Sequence, residues 1–141
     1  MINDGLNLKG KLAISLNGQV VKEVDNIVVT AGKGYVASRM KDATATVMSH
    51  MAIGSGTTNP AAGDTALETE LGRVALTSTS VSSNVVTYTA TFAAGTGTGA
   101  VTEAGILNAS SSGTLLCRTE FSVVNKGSAD SMTITWTVTV S

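Results

Sequence analysis

Charged side chains are scarce in this sequence of 141 residues. Asp, Glu, Lys and Arg supply 13% of the chain, which is about half their share in an average soluble domain. The nine basic residues are scattered and the formal net charge is -1, so the sequence lacks the basic patch that binds a phosphate backbone. We therefore expect no direct contact with nucleic acid.

Cysteine is almost absent, and long apolar runs are missing altogether. The single cysteine, Cys117, cannot form an internal disulfide, so stability must come from packing or from association. No apolar run approaches the length of a membrane span, and the first residues lack the basic and apolar regions of a secretory signal. We expect a protein that is made in a cytoplasm and does not enter a membrane.

Histidine also occurs only once, at His50, which limits general-base catalysis. A dyad of Cys117 and His50 would supply a nucleophile and a base, but Cys117 lies in a predicted strand, where a small buried side chain is the simpler interpretation. The acidic residues do not cluster at the spacing of metal ligands, and no second histidine or cysteine is present. The sequence predicts no catalytic residue, no metal ligand, no cofactor and no enzymatic activity.

Two glycine-rich segments, residues 31–34 and 95–99, resemble phosphate-binding loops only superficially. The first lacks the earlier glycine of a P-loop and the Ser or Thr after its lysine, and the second precedes a strand-like run instead of a helix. We interpret both as turn geometry. The two arginines Arg39 and Arg73 either pair with acids of this chain or reach a neighbouring subunit, and the sequence leaves both alternatives open.

What the sequence has in abundance is hydroxyl side chains, with 36 Ser and Thr residues beside 15 Gly. The surface must therefore be polar but mostly uncharged, which weakens like-charge repulsion and favours work inside an assembly. The length fits one domain over residues 1–141. Residues 1–9 contain too few apolar side chains to pack alone, so we expect an extended N-terminal arm there.

The last residues alternate large apolar side chains with threonines without a break, which is the period of a β-strand. One face should be buried, and the other should be wettable and either exposed or covered by a partner. Trp136 belongs to the buried face, and its indole N–H needs an acceptor. The apolar set is Met132, Ile134, Trp136, Val138 and Val140, and the hydroxyl set is Thr133, Thr135, Thr137 and Thr139.

Other local signals predict one hairpin and two helices. Asn17-Gly18 lies between two apolar runs, which is a strong signal for a tight hairpin. A helix is predicted over residues 31–40 with Thr30 as its N-cap, although its glycines weaken it. A second, short surface helix is predicted over residues 64–72 from its capping Asp, its early acids Glu68 and Glu70, and leucines four apart.

The rest of the sequence reads as short strands separated by turns. Such a series predicts a mainly β single domain, an antiparallel sandwich or barrel of the jelly-roll type, with one or two short helices. Residues 55–63 have the composition of a loop. Strands are predicted over residues 51–54, 74–80, 85–92, 100–107, 114–121 and 132–140.

The predicted hairpin around residues 108–113 allows a test of register. If Leu107 pairs with Thr114, Ala104 faces Cys117 on one side of the sheet and Glu103 faces Arg118 on the other. An opposite-charge pair of this kind contributes about 0.2–1 kcal/mol, so it helps to select the register. The same register makes Cys117 a core residue.

Several short segments occur in a characteristic order along the chain. They are 26–33 (NIVVTAGK), 37–39 (ASR), 51–58 (MAIGSGTT), 60–67 (PAAGDTAL), 70–73 (ELGR), 88–92 (YTATF), 102–106 (TEAGI) and 130–136 (DSMTITW). In this order they resemble a family of small structural proteins of tailed bacteriophages. The resemblance runs from about residue 20 to the end, and its most specific part is residues 53–73 together with the later Glu-Ala-Gly.

The resemblance implies a virion component without enzymatic activity, assembled in the host cytoplasm and placed on the outer surface of the particle. Capsid cement, also called decoration protein, is the leading expectation, with the major capsid protein and further copies of the chain (a dimer or trimer) as partners. A head or tail fibre or collar component that binds a receptor or glycan is the alternative. We expect binding residues mainly in the irregular segments, because loops carry most binding positions on β scaffolds.

Overall fold

Two five-stranded antiparallel sheets pack face to face in the computed structural model, which describes residues 5–141. The chain is 53% strand and 9% helix, so the expected β-sandwich is confirmed. Sheet I has the strand order β2-β1-β10-β7-β6, and sheet II has the order β3-β9-β8-β4-β5. The elements are β1 (Leu8–Leu16), β2 (Gln19–Asp25), β3 (Ile27–Val28), α1 (Thr30–Lys41), β4 (His50–Gly54), β5 (Glu70–Ala75), β6 (Ser78–Ser82), β7 (Val85–Phe92), β8 (Gly99–Leu107), β9 (Leu115–Lys126) and β10 (Met132–Val140).

The alternating C-terminal segment forms β10, the central strand of sheet I. Met132, Ile134, Trp136 and Val138 are buried in the main core, while Thr135 is exposed. The other three threonines of the set are half-buried on the same outer face. The predicted division into two faces is therefore confirmed, except that Val140, at the strand end, is only half-buried.

Trp136 is fully buried, and its acceptor is Asn26, the residue between β2 and β3. Its indole N–H donates to Asn26 Oδ1 over 2.7 Å. The Asn26 backbone N–H in turn donates to the carbonyl of Gly10 over 3.1 Å. A Cβ at position 10 would lie 1.8 Å from Asn26 Oδ1, so only glycine leaves room for the side chain that accepts the indole proton.

The first hairpin and the first helix form where the sequence predicts them. Asn17 and Gly18 both have positive φ (51° and 85°), as a type I′ turn requires. Helix α1 covers residues 30–41 instead of 31–40, and Thr30 is its first helical residue, so Val29 and not Thr30 is the N-cap. Residues 5–141 contain no helix that is long and apolar enough to span a membrane.

The second predicted helix, over residues 64–72, is wrong. Leu67 packs into a buried cluster on the outer face of sheet II, and the backbone N–H groups of Glu68 and Thr69 donate to the Glu103 carboxylate. These long-range bonds replace the helical ones that the local pattern favours. Residues 70–75 instead form β5, which pairs with β4.

The single strand predicted over residues 74–80 is two strands in different sheets. Ala75 pairs with His50 in sheet II, whereas Ser78 pairs with Thr89 in sheet I. The chain crosses from one sheet to the other between them. The strand predicted to end at residue 121 continues to Lys126 and is longer than expected.

The register predicted for the β8–β9 hairpin is also wrong. Leu107 lies opposite Leu115, and Gly105 lies opposite Arg118. A register shift beside Leu107 offsets the pairs that follow, and the predicted register contained no such bulge. Glu103 and Arg118 nevertheless meet, because they are diagonal neighbours in the observed register. Cys117 is fully buried, as expected.

The predicted N-terminal arm is partly integrated into sheet I. Leu8 and Lys9 belong to β1 and lie opposite Val140 and Thr139. The backbone of Asn7 exchanges two hydrogen bonds with that of Ser141. Residues 1–4 of the predicted arm lie outside the described residues.

Replacing Trp136 by Phe tests the buried indole bond. The variant loses the N–H donor and leaves Asn26 Oδ1 unpaired beside a small cavity, so the free energy of unfolding should fall by about 2 kcal/mol. Urea denaturation followed by circular dichroism measures this change without relying on tryptophan fluorescence. Thr135→Ser, at the neighbouring exposed position, should unfold at the wild-type midpoint, and an equal loss in both variants would contradict the assignment.

Candidate functional site

The two residues that sequence reasoning considered for catalysis do not form a dyad. Cys117 is fully buried on β9, and burial raises the pKa of its thiol far above the ordinary value, so the nucleophilic thiolate is suppressed. His50 lies on β4 opposite Leu107, whereas Cys117 lies opposite Ile106. The His50 ring places Nδ1 2.8 Å from the hydroxyl of its chain neighbour Ser49. The described part of the chain contains no group of three His, Cys, Asp or Glu residues that could hold a metal ion.

The glycines of the two glycine-rich segments allow backbone geometry that other residues would hinder. Gly95 and Gly97 have positive φ (87° and 66°) in the turn between β7 and β8, which confirms the turn interpretation for this segment. The other segment is the start of α1 instead of a turn. There Gly32 lets the helix approach β9, because a Cβ at this position would lie 2.1 Å from the Leu116 carbonyl oxygen.

The most concentrated group of charges lies buried on the outer face of sheet II. Glu103 and Arg118 are 0% and 2% exposed, and Arg118 donates to Glu103 Oε1 through Nε and lies equally close through Nη2, both at 3.0 Å. The same guanidinium donates to Asp64 Oδ2 and to the Thr58 carbonyl, each over 3.0 Å. The sequence predicted the Glu103–Arg118 pair but not the contact with Asp64.

Backbone donors complete the surroundings of the Glu103 carboxylate. Oε2 accepts the N–H groups of Gly56 and Thr69, both over 2.8 Å, and Oε1 accepts that of Glu68 over 2.9 Å. Together with Arg118, these donors occupy both oxygens. These bonds satisfy the carboxylate within the chain, and through them Glu103 fixes the segment of residues 55–69 across the sheet.

A Cβ would also not fit at two glycines beside this carboxylate. At Gly54 and Gly56 it would lie 2.6 and 2.4 Å from Glu103 Oε2. The Thr102 hydroxyl donates to the Gly56 carbonyl over 2.6 Å and holds the same stretch of backbone. We call residues 55–69 and the Glu103–Arg118–Asp64 group that binds them the loop clamp.

Glu68, at the edge of the loop clamp, binds Thr57 and Thr58 near the start of the same loop. The hydroxyl of Thr58 and the backbone N–H of Thr57 both donate to its carboxylate. These bonds, with that from the Thr58 hydroxyl first, lower the pKa of Glu68 below its ordinary value. Glu68 and Glu70, which the sequence placed together on a helix, therefore have separate partners, since Glu70 pairs with Arg73.

Both arginines that the sequence left open, Arg73 and Arg39, are engaged within the chain, and so is Lys126. Arg73 binds Glu70 through two nitrogens and also donates to the carbonyls of Ala109 and Ser112. Arg39 donates to two carbonyls just after α1. Lys126 is 1% exposed and donates from Nζ to two loop carbonyls. Because Lys126 lies between two predicted strands, the sequence gave no reason to expect this burial.

The outer face of sheet I presents the broadest uniform surface. On three adjacent strands the outward positions are occupied by Ser or Thr, apart from Val85, and none carries a charge. The charged outward residues of this sheet, Lys9, Lys11, Glu23 and Asp25, lie on β1 and β2 at the opposite side. We call the uncharged part the hydroxyl face, formed by Ser78, Ser80, Ser82, Thr87, Thr89, Thr91, Thr133, Thr135, Thr137 and Thr139.

Few hydroxyls of this face are committed to partners within it. Thr91 and Thr133 share a hydrogen bond of 3.0 Å between their side chains, and Thr137 donates to the Lys11 carbonyl over 3.2 Å. Sequence reasoning identified the threonines of β10 alone. The alternation of residues 85–92 was the available signal for the next row, and the pairing of β7 with β10 could not be read from it.

Comparisons of the chain with known protein families, with curated proteins and with solved structures find no match. The function of the chain is therefore inferred from three features of its structure: the loop clamp, the hydroxyl face and the edges of the two sheets.

Glu103→Gln tests the loop clamp. Either orientation of the amide would point its NH₂ group at two or more N–H donors, so the variant should lose about 3–5 kcal/mol of stability, as when one partner of a buried ion pair is removed. Chemical denaturation measures the loss, and hydrogen exchange should show faster exchange at the amides of Gly56 and Thr69. Glu120→Gln, directly opposite in register, is the matched control and should change stability by less than about 0.5 kcal/mol.

The lowered pKa of Glu68 predicts a response to acid. Because the folded pKa lies below the unfolded one, the hydrogen bonds of Glu68 stabilise the loop above the ordinary pKa of Glu and are lost as the pH falls through the folded pKa. The amide chemical shift of Thr57 should therefore titrate with a midpoint below about 4.3. The step should vanish in Glu68→Gln, and a midpoint at or above that value would contradict the assignment.

Proposed function

We propose that this protein is a structural component of a tailed-bacteriophage particle, a capsid cement that binds the outside of the head through the hydroxyl face. The observation that carries the proposal is the uncharged hydroxyl surface on three strands of sheet I, which is rigid and has no charge to desolvate. Serine and threonine hydroxyls both donate and accept hydrogen bonds, so they exchange water for a protein partner at little cost. A preformed sheet also loses little conformational entropy on docking.

The segments that carry the sequence resemblance fit a structural interpretation. Residues 55–69 and Glu103, which lie within its most specific part, build the loop clamp and hold a cover on sheet II. The polar groups named above bind one another within the chain. Their function in this proposal is to stabilise the domain, and the contact with the particle belongs to the other sheet.

Adhesion is the mechanism in this proposal. A protein that binds only the closed shell, across boundaries between capsid subunits, shifts the assembly equilibrium towards that shell by mass action. Each copy needs only a modest interface, since a repeated lattice offers many sites and each bound copy adds its own increment. The major capsid protein is the partner.

Thr135→Lys tests the docking surface. Thr135 is exposed on β10, in the row of the hydroxyl face that borders β1, between Ala13 and Thr89. The lysine should therefore leave folding intact but place a charge in the contact. Binding to shells stripped of the protein should fall at least tenfold, measured by co-sedimentation. Ser111→Lys, in the exposed loop between β8 and β9, should bind as the wild type does, and the reverse result would move the contact to the loops and contradict this assignment.

The number of copies per particle tests the proposal as a whole. Quantitative mass spectrometry of purified particles should find copies on the order of hundreds, as a repeated shell site requires. Particles lacking the protein should lose infectivity at a lower temperature while adsorbing to cells normally. A few dozen copies or fewer would contradict the cement and indicate a fibre or collar, and absence from particles would contradict both.

A further inference from the structure

Strand β6 is an open sheet edge without any of the usual protections. Its five residues, Ser78–Ser82, are all exposed, and among residues 5–141 the strand pairs with β7 alone. It contains no charge, no proline and no bulge in its pairing, the features by which sheet edges avoid pairing with other chains. Val81, on the side of the strand that faces the core, is 70% exposed.

The other three edges of the two sheets are protected. Edge strand β2 carries Lys22, Glu23 and Asp25, and its pairing contains a bulge. Edge strand β5 carries Glu70 and Arg73, and its pairing with β4 contains a bulge beside Glu70. Edge strand β3 is only two residues long. The contrast singles out β6 as the edge open to a partner strand.

We propose that β6 pairs with β6 of a second copy of this chain, antiparallel about a twofold axis through Ser80. The turn of two residues after β6 makes Ser82 and Val85 a hydrogen-bonded pair. The free N–H and C=O groups at the open edge are therefore those of Thr79 and Val81. In the twofold pairing these two residues lie opposite each other and exchange backbone hydrogen bonds, and Ser80 faces the partner's Ser80.

A second copy fits this edge because the strand is complementary to itself. Twofold pairing brings like residues together, so a charged edge such as β2 would repel its own copy, whereas β6 has no charge to oppose. Val81 would be covered by the partner's Thr79. The joined sheets would also extend the hydroxyl face without a break from β10 of one copy to β10 of the other.

The pairing rests on the edge alone and not on the proposed function. An edge of five residues buries less area than a standard interface, so we expect weak association, complete only well above micromolar concentration. Sedimentation equilibrium of the full chain up to about 1 mM should give the mass of two copies. A monomer throughout this range, or a trimer, would overturn the proposal. A chain whose edge pairs with a strand of another protein would also stay monomeric here, so that case counts against the proposal.

Ser80→Lys is the variant that tests the axis. It places two lysines face to face in the pair, so dimerisation should weaken at least tenfold, while the exposed side chain leaves the fold unchanged by circular dichroism. Thr87→Lys is the matched control. Thr87 lies on β7 directly opposite Ser80 and on the same face of the sheet, so this variant should still dimerise. Equal dimerisation of Ser80→Lys and wild type would overturn the proposal.

Ser80→Cys gives a second readout that does not depend on a charge. Residues on the axis form a pair without hydrogen bonds, with Cβ atoms about 4.5 Å apart, close to the separation of a disulfide. Mild oxidation should therefore yield a covalent dimer, to which the buried Cys117 contributes nothing. Ser78→Cys, whose copies would lie about 13 Å apart, should stay monomeric on a denaturing gel, and equal cross-linking of both variants would overturn the register.

Discussion

The carboxylate of Glu103 is the group on which the arrangement of sheet II depends. A charge buried this deeply costs several kcal/mol unless donors surround it, and here Arg118 and three backbone N–H groups do so. Those N–H groups come from both ends of residues 55–69, so satisfying one side chain fixes a long loop. The fixed loop brings Leu67 over the apolar cluster of Ala52, Leu107 and Leu115. The part of sheet II beneath this loop is therefore buried on both faces.

The same constraint makes the two sheets unequal. The loop clamp covers the outer face of sheet II, where Arg118 pairs with Glu103 and Asp64. Within residues 5–141, sheet I has no such cover. Its outer face divides into a charged part on β1 and β2 and the uncharged hydroxyl face on the other three strands. Charged residues thus occur in the loop clamp and on the edge strands β2 and β5. The hydroxyl face is the part of sheet I with no charge to desolvate.

Sequence patterns predicted the structure wherever the deciding interactions are local. The alternation of β10 and the Asn17-Gly18 turn follow from strand period and from positive φ, and both are confirmed. The helix predicted over residues 64–72 failed because its N–H groups are claimed by Glu103, about 35 residues later in the chain. The β8–β9 register failed at a bulge, although the Glu103–Arg118 pair survived. The loop clamp and the buried Lys126 depend on partners distant in the chain. The local alternation of apolar and polar residues contains no information about such partners.

The location of β6 joins the hydroxyl face to the open edge. A sandwich that ends in an unprotected strand risks uncontrolled pairing, and charge is the simplest protection, as β2 and β5 illustrate. On β6, however, a lysine or glutamate at an outward position would interrupt the uncharged surface that continues across β7 and β10. An uncharged edge is thus a consequence of an uncharged face that reaches the border of its sheet. Closing that edge with an identical strand would satisfy its backbone groups and leave the face uncharged, which a charge at an outward position of β6 could not do.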